Sequence, residues 1–177
     1  AGAGGKTLLL GALMKNTGRL YAFDVSDKRL ANLKPRLARS GLSNVHPARI
    51  EHERDTKIKR LAGKVDRVLV DAPCSGLGTL RRNPDLKWRQ SADSVAELAV
   101  KQAAILDAAA KLVRPGGTAE NDAVVEAFLA AHPDFALTPA SGVLAGHGIA
   151  VDGDFLRLLP HRHNTDGFFA AILDKKA

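Results

Sequence analysis

AGAGGKTLLLGALMKNTGRLYAFD, Ala1 to Asp24, is the stretch whose reading decides the fold. Gly2, Gly4 and Gly5 allow a tight turn and close backbone approach to a ligand. Residues 5–16 then carry apolar side chains at helical spacing and stop at Asn-Thr-Gly. RLYAFD (19–24) is a short apolar run ending in an acid, which predicts a strand. Two readings fit the loop. With a glycine before Ala1 it would be G-x-x-x-x-G-K-T, the phosphate loop of an ATP- or GTP-binding protein. Otherwise it is the glycine-rich turn that opens the first helix of a Rossmann-like domain. Asp24, about 20 residues beyond the loop, stands where an acid accepts hydrogen bonds from ribose hydroxyls. A phosphate-loop protein has no such requirement, although VLVD (68–71) does imitate its magnesium-holding strand.

Outward from this stretch the pattern repeats. Ser26 as N-cap and Gly41 as stop frame a helix with Leu30, Leu33 and Leu37 on one face, which Pro35 is expected to kink or divide. NVHPARI (44–50) is a weaker strand, and Val68 to Val70 within KVDRVLVDAP (64–73) the clearest buried one. Ser91 to Val113 reads as a long helix with Leu98, Ile105 and Leu112 on its apolar side, and RPGG (114–117) as a turn. A helix from Asn121 to Ala131 follows, then strands FLRLLP (155–160) and GFFAAIL (167–173) joined by HRHNTD. Alternating strands and helices predict an α/β chain with a mostly parallel sheet and a C-terminal antiparallel hairpin, one domain over 1–177. Ligands of such sheets sit beyond the carboxyl ends of strands, where the glycine loop, Asp24 and Asp71 all fall.

Composition narrows the partners. The 177 residues are 45% hydrophobic and 25% charged, the balance of a globular protein, with net charge +7. That charge suits an anionic partner, nucleic acid being the commonest, or else a solvated basic surface. No run approaches the ~18 apolar residues of a membrane span, and no basic leader with a cleavage site is visible, so a cytoplasmic protein without a membrane partner is expected. A single cysteine, Cys74, excludes an intrachain disulfide and a cysteine-rich zinc site. His161 and His163 lack a nearby third ligand, so no metal is expected.

DAPCSG (71–76) sets an acid, a rigid proline and a thiol at the mouth of a strand. After it, TLRRNPDLKWR (79–89) interleaves Arg81, Arg82, Lys87 and Arg89 with Trp88. Cations around an aromatic suit RNA phosphates and base stacking; Trp88 as a core anchor is the competing reading.

Taken in order, AGAGGKT, the acid of YAFD, DAPCSGLGTLRRNPDLKW, RPGG and LRLLPHRHNTDGFFAAIL resemble the Sun/Fmu family of RNA cytosine-C5 methyltransferases. The resemblance covers nearly the whole chain, and DAPCSG-x-G-x-x-RR-x-P is its specific element. It implies a class I S-adenosylmethionine-dependent fold with Ala1, Gly2, Ala3, Gly4, Gly5, Lys6, Asp24 and Asp71 around the cofactor. It also implies Asp71 and Cys74 at the reacting base, and Arg81, Arg82, Lys87 and Trp88 on RNA, ribosomal RNA before transfer RNA. Glu51 and His52 fall near the family's adenosine-side acid but match it poorly.

The chemistry explains the thiol. Cytosine C5 is a weak nucleophile; a thiolate adding to C6 makes C5 enamine-like, an acid near N3 stabilises the developing charge, and a base then removes the C5 proton. The target base must be single-stranded or flipped out. In the resembling family the cysteine at the position of Cys74 assists breakdown of the adduct, and the nucleophile lies in a Thr-Cys-Ser-like motif on a strand after the RPGG turn. Here RPGGTAENDAVVEAF contains no cysteine, and Ala119 to Asp122 read as a helix start. A first strand before Ala1 and a segment of about 8–14 residues between Thr118 and Ala119 are therefore expected to be missing. Three alternatives stay open: Cys74 itself attacking C6, an inactive S-adenosylmethionine- and RNA-binding module, and a phosphate-loop NTPase.

Overall fold

A computed structural model describes residues 1–89, 91–121 and 125–177. The chain divides into two compact units, Ala1–Ile58 and Lys59–Ala177.

In the first unit the glycine loop enters α1 (Gly5–Leu13) through Gly4, whose φ of +93° is left-handed and open chiefly to glycine. Strand β1 (Leu20–Asp24) lies parallel to β2 (Val45–Arg49), with Leu20 opposite Val45 and Asp24 opposite Arg49. Between them runs α2 (Asp27–Ser40), capped by the Ser26 side chain and stopped by Gly41 at φ +69°. Of the two outcomes expected at Pro35, a kink or a break, the break does not occur: α2 runs through it as one helix. Burial of Leu30 and Leu33 against Ala22 and Val45 offsets the hydrogen bond that proline removes. A single turn, α3 (Thr56–Lys59), leads out of this unit.

The second unit is built on β3 (Val65–Leu69), followed by a 3₁₀ turn at Leu77–Thr79 and the short α4 (Leu86–Arg89). The long α5 (Ala92–Ala110) starts at a capping box between Ser91 and Ser94. Then come β4 (Val113–Asn121), α6 (Val125–Ala131), β5 (Phe135–Thr138), α7 (Ala140–Ala145), β6 (Leu156–Leu158), α8 (Pro160–His163) and β7 (Phe168–Lys175). The sheet order is β3-β4-β7-β5, with β6 also on β7. β3 and β4 are parallel, whereas β7 runs antiparallel to β4, β5 and β6. The expected parallel strands and C-terminal antiparallel hairpin are both present. The core of this unit gathers Leu106, Val113, Val125, Phe128, Phe135 and Leu173.

Several expectations change. The strand thought missing after Gly117 is there: Thr118, Ala119 and Glu120 pair with Arg67, Val68 and Leu69 on one side and with Asp174, Leu173 and Ile172 on the other. A ladder on both sides outweighs the helical propensity of that run. RPGG becomes an excursion inside β4, the register jumping from Val65–Val113 to Arg67–Thr118. Of the helix expected from Asn121, Asp122 to Val124 lie outside the described residues, as does Gln90 of the polar segment. The strand expected to be the clearest buried one, Val68 to Val70, is partly covered: Val70 is buried and Val68 half-buried but Leu69 is 44% exposed, because β3 stands at the end of the sheet order. On α5 the core face is Gln102, Leu106, Ala109 and Ala110; of the expected stripe, Leu98 and Ile105 are half-buried and Leu112, just past the helix, is buried. Apolar residues surround that helix on several sides, so spacing alone selects no single stripe. Finally, FALT forms a strand that no alternating pattern announced; β5 exists because β7 offers it an edge.

Candidate active site

The glycine loop is held from below by Asp24. The carboxylate is 7% exposed at the end of β1 and accepts from Gly2 N at 2.8 Å through Oδ2 and from Ser26 N at 2.9 Å through Oδ1. The Ala1 nitrogen donates to the Phe23 carbonyl at 2.7 Å and reaches Asp24 Oδ2 at 3.2 Å. Burial acts to push this carboxyl up, but hydrogen bonds led by the Ser26 and Gly2 N–H groups outweigh it and hold Asp24 below the usual carboxylate value. Helix α2 steadies the other side of the loop. Arg36 Nη1 donates to the Ala3 carbonyl at 2.8 Å, and a Cβ on Gly4 would lie 2.3 Å from Leu33 Cδ1.

By contrast, a Cβ at Gly2 or Gly5 would meet no atom within 4 Å. The loop therefore keeps an open outer face over the first turn of α1, where backbone N–H groups lack helical partners. A carboxylate that carries four acceptor sites and spends one per backbone amide also retains capacity for a ligand hydroxyl. These residues fit the amino-acid and ribose parts of a nucleoside cofactor. Lys6 is exposed at the start of α1. Beyond β2, Glu51 and His52 are exposed and belong to a turn ordered by Asp55. Asp55 accepts from Lys57 N and Glu51 N, which lower its pKa from the ordinary value.

In the second unit β3 delivers Val70 and then the loop Asp71-Ala72-Pro73-Cys74, with Asp71 and Cys74 exposed. Gly76 at φ +74° turns the chain into the 3₁₀ segment. The basic run that follows is not uniformly free. The Arg82 guanidinium forks onto both carboxylate oxygens of Asp166, which raises its pKa further, and Arg81 Nη1 donates to Asn164 Oδ1 at 3.1 Å. Arg89 pairs with Asp85 at 3.0 Å. Trp88 is 82% exposed with Lys87 Nζ 5.2 Å from its ring centre, so it is not the core anchor that composition alone allowed. His163 Nδ1 accepts from the Leu159 N–H at 2.9 Å inside α8. Among the described residues no group of three or more His, Cys, Asp or Glu side chains gathers for a metal, and no helix is long and apolar enough to cross a membrane.

Sequence reasoning missed two contributors. Gln102, 8% exposed on α5, donates Nε2 to the Pro73 carbonyl at 2.8 Å. The signal was a polar residue on the same stripe as Leu106 and Ala109. The Asp166-Gly167 turn is the other, and a Gly after an acid gave its only hint.

A glycine turn opening the first helix, parallel strands followed by acids at their carboxyl ends and an antiparallel final strand are the features of the class I methyltransferase fold. The solved structures agree. A methyltransferase homologue from Pyrococcus horikoshii superposes with a TM-score of 0.74 at 26% identity, covering 97% of this chain and 58% of that one. NSun6 from Pyrococcus horikoshii, solved with SFG, gives 0.82 at 28% identity, over 100% of this chain and 46% of that one. The chain belongs to the 16S rRNA methyltransferase RsmB/F family, whose model matches residues 1–174. A probable ribosomal RNA small subunit methyltransferase B of Synechocystis is 41% identical over 188 positions, covering 99% of this chain and 42% of the relative. The chain thus spans about two fifths of the curated relatives it matches. Family membership disposes of the NTPase reading of AGAGGKT.

Proposed function

We propose that residues 1–177 are the methyl-transfer domain of an enzyme that methylates C5 of a cytosine in RNA, with small-subunit ribosomal RNA preferred to transfer RNA. The observation that carries this reading is DAPCSG at the exit of β3 in a chain matched by its family over 1–174. S-adenosylmethionine supplies the electrophilic methyl group when bound. The first-turn amides after Gly4 and the side chain of Lys6 would hold its amino-acid end, and Asp24 its ribose. Asp71 would hydrogen-bond near N3 of the target base. Cys74 would act at the same base, taking part in breakdown of a thiol adduct. Trp88 offers a ring for base stacking, with Lys87 and Arg81 beside phosphates. The basic composition supports an RNA partner.

The second reading follows from a count. Cys74 is the one cysteine among 177 residues, and β4 reaches α6 without another. The match to the Synechocystis relative runs over 188 positions, more than this chain supplies. A chain without the family's nucleophile binds cofactor and RNA but does not turn over, unless Cys74 attacks C6 itself. RNA carrying 5-fluorocytosine decides between them. Its C5 fluorine blocks release, so a covalent adduct lost on Cys74→Ser identifies Cys74 as nucleophile. Absence of adduct and of methyl transfer, with S-adenosylhomocysteine still bound without magnesium, leaves the binding module. No S-adenosylhomocysteine binding at all would sink both.

A further inference from the structure

The loop that carries Cys74 is pinned on both sides, by Gln102 before the thiol and by a seam with Asp166 and Gly167 after it. Before the thiol, Gln102 reaches from α5 to the Pro73 carbonyl at 2.8 Å. A buried amide is costly to leave unpaired, so this contact fixes Pro73 against the helix. After the thiol, Gly78 and Gly167 meet backbone to backbone. The Gly167 N–H donates to the Gly78 carbonyl at 2.8 Å, and a Cβ on Gly78 would fall 2.5 Å from the Gly167 oxygen. A Cβ on Gly167 would fall 2.9 Å from Gly78 Cα. The Arg82–Asp166 fork closes the same seam four residues further on. Between these pins the loop bonds to itself: Thr79 donates through N and Oγ1 to the Gly76 carbonyl, and Asn83 Nδ2 donates to Thr79 Oγ1.

We propose that Gln102 and Asp166 are positioning residues for Cys74, holding residues 73–82 in one arrangement before RNA arrives. Asp166 acts through Arg82, whose guanidinium is thereby committed to the loop seam and not to a phosphate. The proposal rests on the reading above only in that Cys74 works on a base; the order of the loop is a property of the chain alone.

Two measurements on the full chain test it. The first is amide exchange, read by mass spectrometry, of peptides spanning residues 72–83. Gln102→Leu and Asp166→Asn each speed exchange there about five- to tenfold, as expected for one lost hydrogen bond or forked ion pair. Peptides from α5 and β7 do not change, Asp166→Glu restores protection, and Arg82→Met adds nothing to Asp166→Asn. Lys111→Ala, at the C-cap of the helix that carries Gln102 but in a surface pair with Asp107, leaves the loop unaffected. The second is methyl transfer to small-subunit RNA. Gln102→Leu lowers kcat by a similar factor with KM for S-adenosylmethionine unchanged, and Arg82→Met leaves the salt dependence of RNA binding unaltered. Unchanged loop exchange in both Gln102→Leu and Asp166→Asn overturns the proposal. So does a salt slope reduced by about one in Arg82→Met, which would make Arg82 a phosphate ligand. A chain that transfers no methyl group refutes the function proposed above, and loop exchange then decides the positioning claim alone.

Discussion

Replacing Asp24 with asparagine removes one acceptor from a site that uses two. In the native carboxylate Oδ2 takes the Gly2 N–H at 2.8 Å and Oδ1 the Ser26 N–H at 2.9 Å. An asparagine presents one oxygen and one NH₂, so whichever way it turns, a donor faces a donor. Bonds to a charged group contribute about 1.5–3 kcal/mol each, and a buried amide left unpaired loses a comparable amount. The Asp24→Asn chain should therefore be about 2–3 kcal/mol less stable at pH 7, with the loss confined to Ala1–Ile58. Urea unfolding followed by circular dichroism measures the difference, and amide exchange in peptides covering residues 1–30 locates it. The pH dependence supplies a second check. Because the folded carboxyl titrates below its ordinary 3.8, its contribution is complete above that value and fades as pH falls through the folded pKa. Native and variant stabilities should converge on acidification toward that lower range. A difference under about 0.5 kcal/mol at pH 7, or one that persists undiminished in acid, would refute the account of Asp24 as organiser of the loop.

Other outcomes follow from the same geometry. Gly78→Ala forces apart two backbones that cannot yield as a side-chain end can, and should destabilise the second unit by about 1–3 kcal/mol, visible as a lowered urea midpoint. Leu106→Ala, at a fully buried position, should take about 2–5 kcal/mol from the same unit in the same assay. Trp88→Ala should leave the urea midpoint in place, since the ring is 82% exposed, while weakening single-stranded RNA binding by about 1–3 kcal/mol in a fluorescence-anisotropy titration. Equal RNA affinity would remove Trp88 from the interface.

The elements whose local chemistry agrees with their surroundings were legible. The glycine loop, the Ser26 and Gly41 caps, Asp24 at a strand end and the Ser91 start of α5 follow from residue types acting within a turn or two of the chain. What escaped depends on partners far away in sequence. Thr118 to Asn121 carry no strand pattern and become one because β3 and β7 flank them. Phe135 to Thr138 form β5 for the same reason, with β7 as template. At the site, DAPCSG announced itself by composition. Gln102 did not, because a glutamine in an alanine-rich helix looks like a solvated residue until the fold turns it toward Pro73. The arginines show the reverse: a basic run reads as one surface, yet Arg82 is tied to Asp166 while Trp88 beside the run stands in solvent.

The place of β7 in its sheet has a consequence for how the chain is made. Its residues 168–175 are the shared partner of β4, β5 and β6, all of which leave the ribosome earlier. At roughly 5–20 residues per second, β4 waits a few seconds with one edge bare before β7 exists to cover it. The first unit, whose β1 and β2 pair across a single intervening helix, has no such delay. During synthesis the nascent chain therefore passes through a stage with a finished glycine loop and an open sheet edge, the kind of surface on which holding chaperones act and strands from neighbouring chains pair.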